Sequence, residues 1–238
     1  MVRSRFMAQM EQLNTELIVM GTLCENALEK VANALENPTD EVSRDIIILS
    51  KKTEEKEREL ENICINLLLK QQPVASDLRQ ISSALKMVTD MRRIGEVAGN
   101  IAEILSQDNL RMDYDTSILK KMAAATKKMV SNTLDAFVKS DIRTAQQVER
   151  DDDQVDELFA QSKHELIQII RNSQDSGEQA IDYLMIAKYF EKIGDHAVNI
   201  SQWVLFMITG TLEEDSIHDI LRGGPVSYTH LTLPTNSL

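Results

Sequence analysis

The sequence predicts an all-α protein: two tandem three-helix bundles related by internal duplication, with six long antiparallel helices. Three observations carry that prediction. A segment, Arg93-Ile94-Gly95-Glu96-Val97-Ala98-Gly99-Asn100-Ile101, returns as Lys192-Ile193-Gly194-Asp195-His196-Ala197-Val198-Asn199-Ile200. The same offset of 99 residues maps Val31 onto Val130, Asn33 onto Asn132, Leu35 onto Leu134 and Leu85 onto Leu184. Self-similarity at one fixed offset across most of a chain marks a duplicated folding unit. Composition is the second observation. Aromatic residues make up 4% of the 238, with 8 glycines and 4 prolines, while Ala, Leu, Glu, Lys, Met and Gln are abundant, a mixture that favours helix over sheet. The third is apolar periodicity at helical spacing, interrupted only by short turn signals.

The first helix runs from about Phe6 to Leu35 and stops at Asn37-Pro38-Thr39-Asp40, which also supplies an N-cap for the next. A second run, Glu41 to Lys70, carries Glu and Lys on one side and Ile46, Leu49, Leu60, Ile63 and Leu67 on the other, until Pro73 interrupts it. The third helix spans about Val74 to Gln107. The first repeat therefore occupies residues 5–107, and the polar, aperiodic stretch 108–115 reads as the linker. Helices at about Thr116 to Lys139, Asp141 to Asn172 and Gly177 to Thr209 complete a second repeat over residues 116–212. Short turns force neighbouring helices to run antiparallel, as in an up-down bundle. Residues 223–238, from Gly223 to Leu238, have no helical period, no acidic side chain and half of the prolines, and are expected to be a non-native tail.

The formal net charge is −12. A surface that neutralises phosphates needs the opposite sign, so no nucleic-acid partner is expected, and cations or basic protein surfaces fit better. Cys24 and Cys64 sit in apolar helical runs without a CxxC or neighbouring His, as reduced core thiols of an intracellular protein would. No secretory signal precedes the first helix. The longest purely apolar stretch, Trp203 to Ile208, falls far short of the ~20 residues a membrane helix needs; membrane contact is expected to be peripheral at most.

The repeated motif carries the chemistry. On the sixth helix Ile193, Ala197, Ile200 and Val204 form the apolar stripe, while Glu191, Asp195 and Asn199 stack oxygen-bearing side chains on successive turns, roughly 6 Å apart along the axis. Such a ladder suits hard or borderline cations bound through oxygen, and a neighbouring helix must complete the shell. The fifth helix offers Glu149, Asp152, Asp153 and Asp156. Five carboxylates fall within the eight residues from Glu149 to Asp156 with only Arg150 to relieve them, and like charges at i, i+4 repel by about 0.2–0.5 kcal/mol a pair. A solvated acidic face is the plain alternative. Gly95 and Gly194 each cost about 1 kcal/mol against alanine in a helix, so both point to a close helix approach that a methyl would prevent.

In the first repeat Arg92 stands where Glu191 stands in the second, giving a ladder of Arg92, Glu96 and Asn100 with Glu103 nearby; Glu54, Glu57 and Glu61 face it from the second helix. Two arrangements stay open there: a second cation site with Glu96 and Asn100, or an arginine bound to Glu96 in place of the cation. His196 reads as a ligand or as a partly buried polar residue. Among His164 and His218 no Glu-x-x-His spacing occurs, which argues against a di-iron oxidase. No P-loop, dinucleotide fingerprint or nucleophile motif is present, so no catalytic residue is expected and no active site is visible.

The paired Ile-Gly-Glu/Asp-x-x-x-Asn-Ile segments, the run Gln72-Pro73-Val74-Ala75-Ser76-Asp77-Leu78-Arg79 and Met20-Gly21 together resemble the PhoU family of bacterial phosphate-signalling regulators, with coverage from about Arg5 to Leu212. The resemblance implies a cytoplasmic helical-bundle protein, peripheral at the inner face of the cell membrane and homodimeric. It implies a negative regulator of phosphate uptake that couples the cytoplasmic components of a phosphate ABC transporter to a sensor histidine kinase. It further implies divalent or iron-type metal ions bound by carboxylates of a Glu-x-x-x-Asp motif, which maps onto Glu191 and Asp195, while Arg92 and Glu96 depart from it. The competing reading is a metal-free helical adaptor for a basic protein partner; a metal-dependent enzyme ranks behind both.

Overall fold

A computed structural model of the chain describes residues 2–70, 73–106, 116–172 and 177–211; the expected linker 108–115 and the expected tail 223–238 lie outside the described residues. Six α-helices account for the regular structure there: α1 Val2–Glu36, α2 Asp40–Lys70, α3 Ala75–Leu105, α4 Ser117–Lys139, α5 Ile142–Asn172 and α6 Gly177–Thr209. The all-α architecture with a doubled three-helix unit is the one the repeat and the helical periodicity predict.

Local chemistry sets the corners. The Thr39 hydroxyl accepts the Val42 N–H at 3.3 Å and starts α2 just after Pro38. Pro73 lies just before α3, and the Asp77 carboxylate accepts the Val74 N–H at 3.2 Å from the first turn of the helix. Between α4 and α5 the chain reverses over two residues. Ser140 adopts the left-handed conformation at φ 51°, and Asp141 accepts the Arg143 N–H at 2.9 Å and the Thr144 hydroxyl at 2.7 Å. Asp141 is thus the cap of α5 and not its first helical residue, a consequence of its side chain competing for the free N–H groups of the first turn.

Among the described residues, α1, α2 and α3 pack on one another, as do α4, α5 and α6, and the two units join through α1 against α4 and α3 against α6. The four joining helices form the centre, and α2 and α5 flank it on either side. One apolar core runs through both units: Leu13, Leu17, Met20, Leu28 and Val31 of α1, Met87, Met91 and Ile94 of α3, Leu119 and Met122 of α4, and Ile186, Phe190, Ile193 and Ile200 of α6 are all essentially buried. Each contributes about 1.5–3 kcal/mol against exposure. Cys24 and Cys64 are free and buried, and burial pushes both thiols up to about 12, so neither is a reactive thiolate at neutral pH. No helix among the described residues is long and apolar enough to cross a membrane.

Gly21 shows how closely the units meet. A methyl built on it would run into the Leu134 side chain, so Leu134 of α4 nests directly on the α1 backbone. Gly21→Val is therefore expected to destabilise by overpacking, about 1–3 kcal/mol, even though valine is the better helix former. Urea denaturation measures the loss, and combining Gly21→Val with Leu134→Ala is expected to cost less than the sum of the two single changes.

Candidate functional site

The motif helices lie side by side. Arg79, near the start of α3, packs against Gly210 just beyond the end of α6, and Asp90 further along α3 meets His196 of α6, so the two helices run in opposite directions. Between them lies an open cleft of about 480 Å³, lined by both copies of the motif: Arg93 and Lys192, Glu96 and Asp195, Val97 and His196, Asn100 and Asn199. Equivalent residues thus face each other across an approximate two-fold relation between the repeats.

The principal acidic cluster lies on the flank of α6 that meets α5. Asp152 carries it. The missing Cβ of Gly194 leaves space that the Asp152 carboxylate enters, and a methyl there would lie 2.6 Å from Asp152 Oδ1. The close approach that the glycine predicts is therefore present, and the group that comes nearest is a carboxylate, with Met129 and Val155 at 3.7 Å. Burial first, then the charges of Asp156, Asp195 and Asp153, pushes Asp152 up to about 7. Asp156 is raised as well, by burial and then by Asp195 and Asp153, with Lys188 opposing. Four of the expected ligands, Asp152, Asp153, Asp156 and Asp195, are thereby in one electrostatic group spanning α5 and α6. Glu191, one turn earlier on α6, is paired with Lys188, the lysine that also acts on Asp156.

Asn199 goes the other way. Its amide donates to Asp90 of α3 at 3.4 Å, and His196 Nδ1 lies 2.9 Å from the same carboxylate oxygen. A side chain every four positions drifts around the helix, so the ladder that starts on the α5 flank reaches the α3 flank at Asn199. Asp90 is 106 residues from His196 in sequence, so no local pattern marks it as a site residue. Lys188 stands three residues before Glu191, a spacing that brings the two together on one face of α6. Asp151, another acid of the run, is held by Lys128 of α4 at 3.1 Å and by the Gln147 amide at 2.9 Å.

In the first repeat the same frame holds different chemistry. Thr53 occupies the position aligned with Asp152, tucked against Gly95 as Asp152 is against Gly194, and its hydroxyl donates to its own helix at Ser50 O, 2.7 Å away. Arg92 donates through Nε to Glu57 at 3.1 Å and through a terminal nitrogen to Glu96 at 2.7 Å, and Arg93 adds a contact to Glu96 at 3.1 Å. Burial pushes Glu96 up, but the hydrogen bond and charge of Arg92, followed by Arg93, more than offset it and hold the carboxyl below its usual range. Glu54 is paired with Arg58, while Lys56 binds Glu16 and Glu59 at 2.8 and 2.6 Å. Asn100 lines the cleft.

The all-oxygen donor set of the second repeat fits a hard or borderline cation. Its spacing does not form a closed shell: among the described residues no three His, Cys, Asp or Glu side chains converge closely enough to hold a metal ion. The cluster thus supplies charge and donor chemistry rather than a finished cage.

Comparison with known proteins places this geometry in a context. The model of the PhoU domain matches twice, over residues 17–105 and 119–204, once on each three-helix unit. A "Phosphate-specific transport system accessory protein PhoU homolog" of Clostridium acetobutylicum is 33% identical over 214 residues, covering 88% of this chain and 97% of its own. The crystal structure of PhoU from Pseudomonas aeruginosa superposes with a TM-score of 0.84 at 28% identity, covering 87% of this chain and all of that one. The phosphate transport system regulatory protein PhoU from Streptococcus pneumoniae gives 0.80 at 25% identity, over 87% of this chain and 98% of its own.

The raised Asp152 sets a pH dependence. The folded protein keeps a proton on Asp152 up to about pH 7, whereas the unfolded chain releases it near pH 4, so the folded state binds more protons in between and loses stability as pH rises through that window. In chelator-treated protein, unfolding free energy is expected to fall between pH 4 and 7, and Asp152→Asn is expected to flatten that slope. Equal slopes in both proteins would remove Asp152 as its source.

Proposed function

The chain belongs to the PhoU family, and from that premise we propose that it restrains phosphate uptake and phosphate-starvation signalling. In this reading it is a regulatory protein and not an enzyme. It works in the cytoplasm, in peripheral contact with the inner face of the membrane, as a homodimer that couples cytoplasmic components of a phosphate ABC transporter to a sensor histidine kinase. The observation that carries the proposal is the doubled domain match on the two helical units, together with relatives named as accessory proteins of a phosphate-specific transport system.

The proposal includes a cation site on the second repeat. Asp152, Asp153, Asp156, Glu191 and Asp195 would hold a divalent or iron-type ion, with Asn199 engaged by Asp90 instead. When bound, such an ion would supply positive charge beyond the single one of Lys188. The residues themselves supply an acidic face spanning two helices, and Gly194 keeps the Asp152 carboxylate seated against the α6 backbone.

A second reading is supported by the spacing of the carboxylates, which do not converge on one point among the described residues, and by the net charge of −12. In it the acidic helix faces bind a basic protein partner directly, without metal.

Elemental analysis separates the two. Protein purified without chelator is expected to carry metal, and Asp195→Ala with Asp156→Ala is expected to lower the metal bound per chain severalfold; unchanged content would place the metal elsewhere.

Deletion of the gene is expected to switch on phosphate-starvation genes in rich phosphate, read with a reporter fusion. A copy with Glu191, Asp195, Asp152 and Asp156 all replaced by alanine is expected not to restore repression. Full repression by that copy would favour the metal-free adaptor, and no response to deletion in a strain without a second homologue would remove the phosphate assignment.

A further inference from the structure

We infer that Arg92 is the built-in counter-cation of the first repeat, so that this repeat takes up no divalent cation until the arginine is removed. The inference rests on reading the second repeat's carboxylates as cation ligands, and it assigns a distinct role to the first.

The duplication supplies an internal control. Aligned at an offset of 99 residues, Asp152, Asp156, Glu191 and Asp195 correspond to Thr53, Glu57, Arg92 and Glu96. The second set is four acids. The first is two acids, a hydroxyl and a guanidinium, and the guanidinium lies between the two acids, reaching Glu57 at 3.1 Å from Nε and Glu96 at 2.7 Å from a terminal nitrogen. This is a permanent, delocalised charge with donors spread across a plane, able to bind two carboxylates from two helices at once. It links α2 to α3 where the aligned acids of α5 and α6 have no arginine between them. The pairing is sheltered: the Arg92 and Glu57 side chains are 20% and 16% exposed. Thr53 replaces the fourth carboxylate by a hydroxyl. Its proton is donated to its own helix, and as a neutral group it adds no charge to attract a cation. A divalent ion entering here would have to displace a guanidinium fixed to the same carboxylates, and it would add its charge beside Arg92 and Arg93.

Titration with Mn²⁺ by calorimetry tests this. Four proteins are compared: wild type; a second-repeat variant, Asp152→Asn with Asp195→Asn; that variant carrying Thr53→Asp and Arg92→Glu; and that variant carrying Arg92→Glu alone, in case the four-site protein does not fold by circular dichroism. The second-repeat variant is expected to bind at least tenfold more weakly than wild type, and restoring the acid at position 92 is expected to bring binding back. Two results overturn the inference. One is retained binding in the second-repeat variant that disappears with Glu57→Gln and Glu96→Gln. The other is absence of binding in a folded Arg92→Glu protein, whatever the second repeat does. Binding by the Arg92→Glu proteins but not by wild type would sink the cation reading of the second repeat while upholding the role of Arg92.

Discussion

The polar architecture of this protein depends on two missing methyl groups. At Gly95 and Gly194 the helix backbone is bare on the side facing the neighbouring helix, and in each case a polar side chain, Thr53 or Asp152, occupies the space. A side chain seated there is partly desolvated and close to whatever else lines the helix pair. Around Gly194 that raises the cost of charge on Asp152, and the other acids of α5 and α6 raise it further. Around Gly95 a hydroxyl satisfied within its own helix avoids the cost altogether. The same backbone device thus produces a strained acidic group in one half and a neutral one in the other.

The division of charge between the halves follows from few substitutions. With arginine at position 92 the facing acids of α2 and α3 become ion pairs. With glutamate at position 191, the cation beside the counterpart acids is Lys188, paired with Glu191. Surface ion pairs are worth little individually, but a guanidinium shared between the sheltered Glu57 and the more open Glu96 ties α2 to α3 through one fixed charge. Divergence after duplication has altered the counter-charge and left the helical frame intact, since the apolar positions Ile94 and Ile193, Ala98 and Ala197, and Ile101 and Ile200 are all buried.

How much of this was legible depended on the range of each interaction. The helices were readable because long periodic runs are bounded by a few strong breakers, Pro38, Pro73 and the capping acid Asp141, and because the duplication repeats the evidence. The acidic group on α5 and α6 was readable from spacing along each helix, and the arginine substitution from aligning the copies. The long-range partners were not. Nothing near Asn199 or His196 in sequence announces Asp90, and a glycine in a helix reveals that something approaches without revealing whether it is a methyl, a hydroxyl or a carboxylate. Asp151 shows the same limit: five acids in a row of eight look alike until α4 brings Lys128 to one of them.

The approximate two-fold relation through the α3–α6 cleft has a consequence for recognition. Were the halves chemically identical, a partner could dock in either of two orientations with equal energy, and binding would carry no information about which way round the molecule sits. Here one side of the axis presents a guanidinium-bridged surface and the other an acidic one, although both are built on the same three-helix unit. Handedness of presentation is therefore encoded by side-chain charge on a shape that does not itself distinguish its two ends.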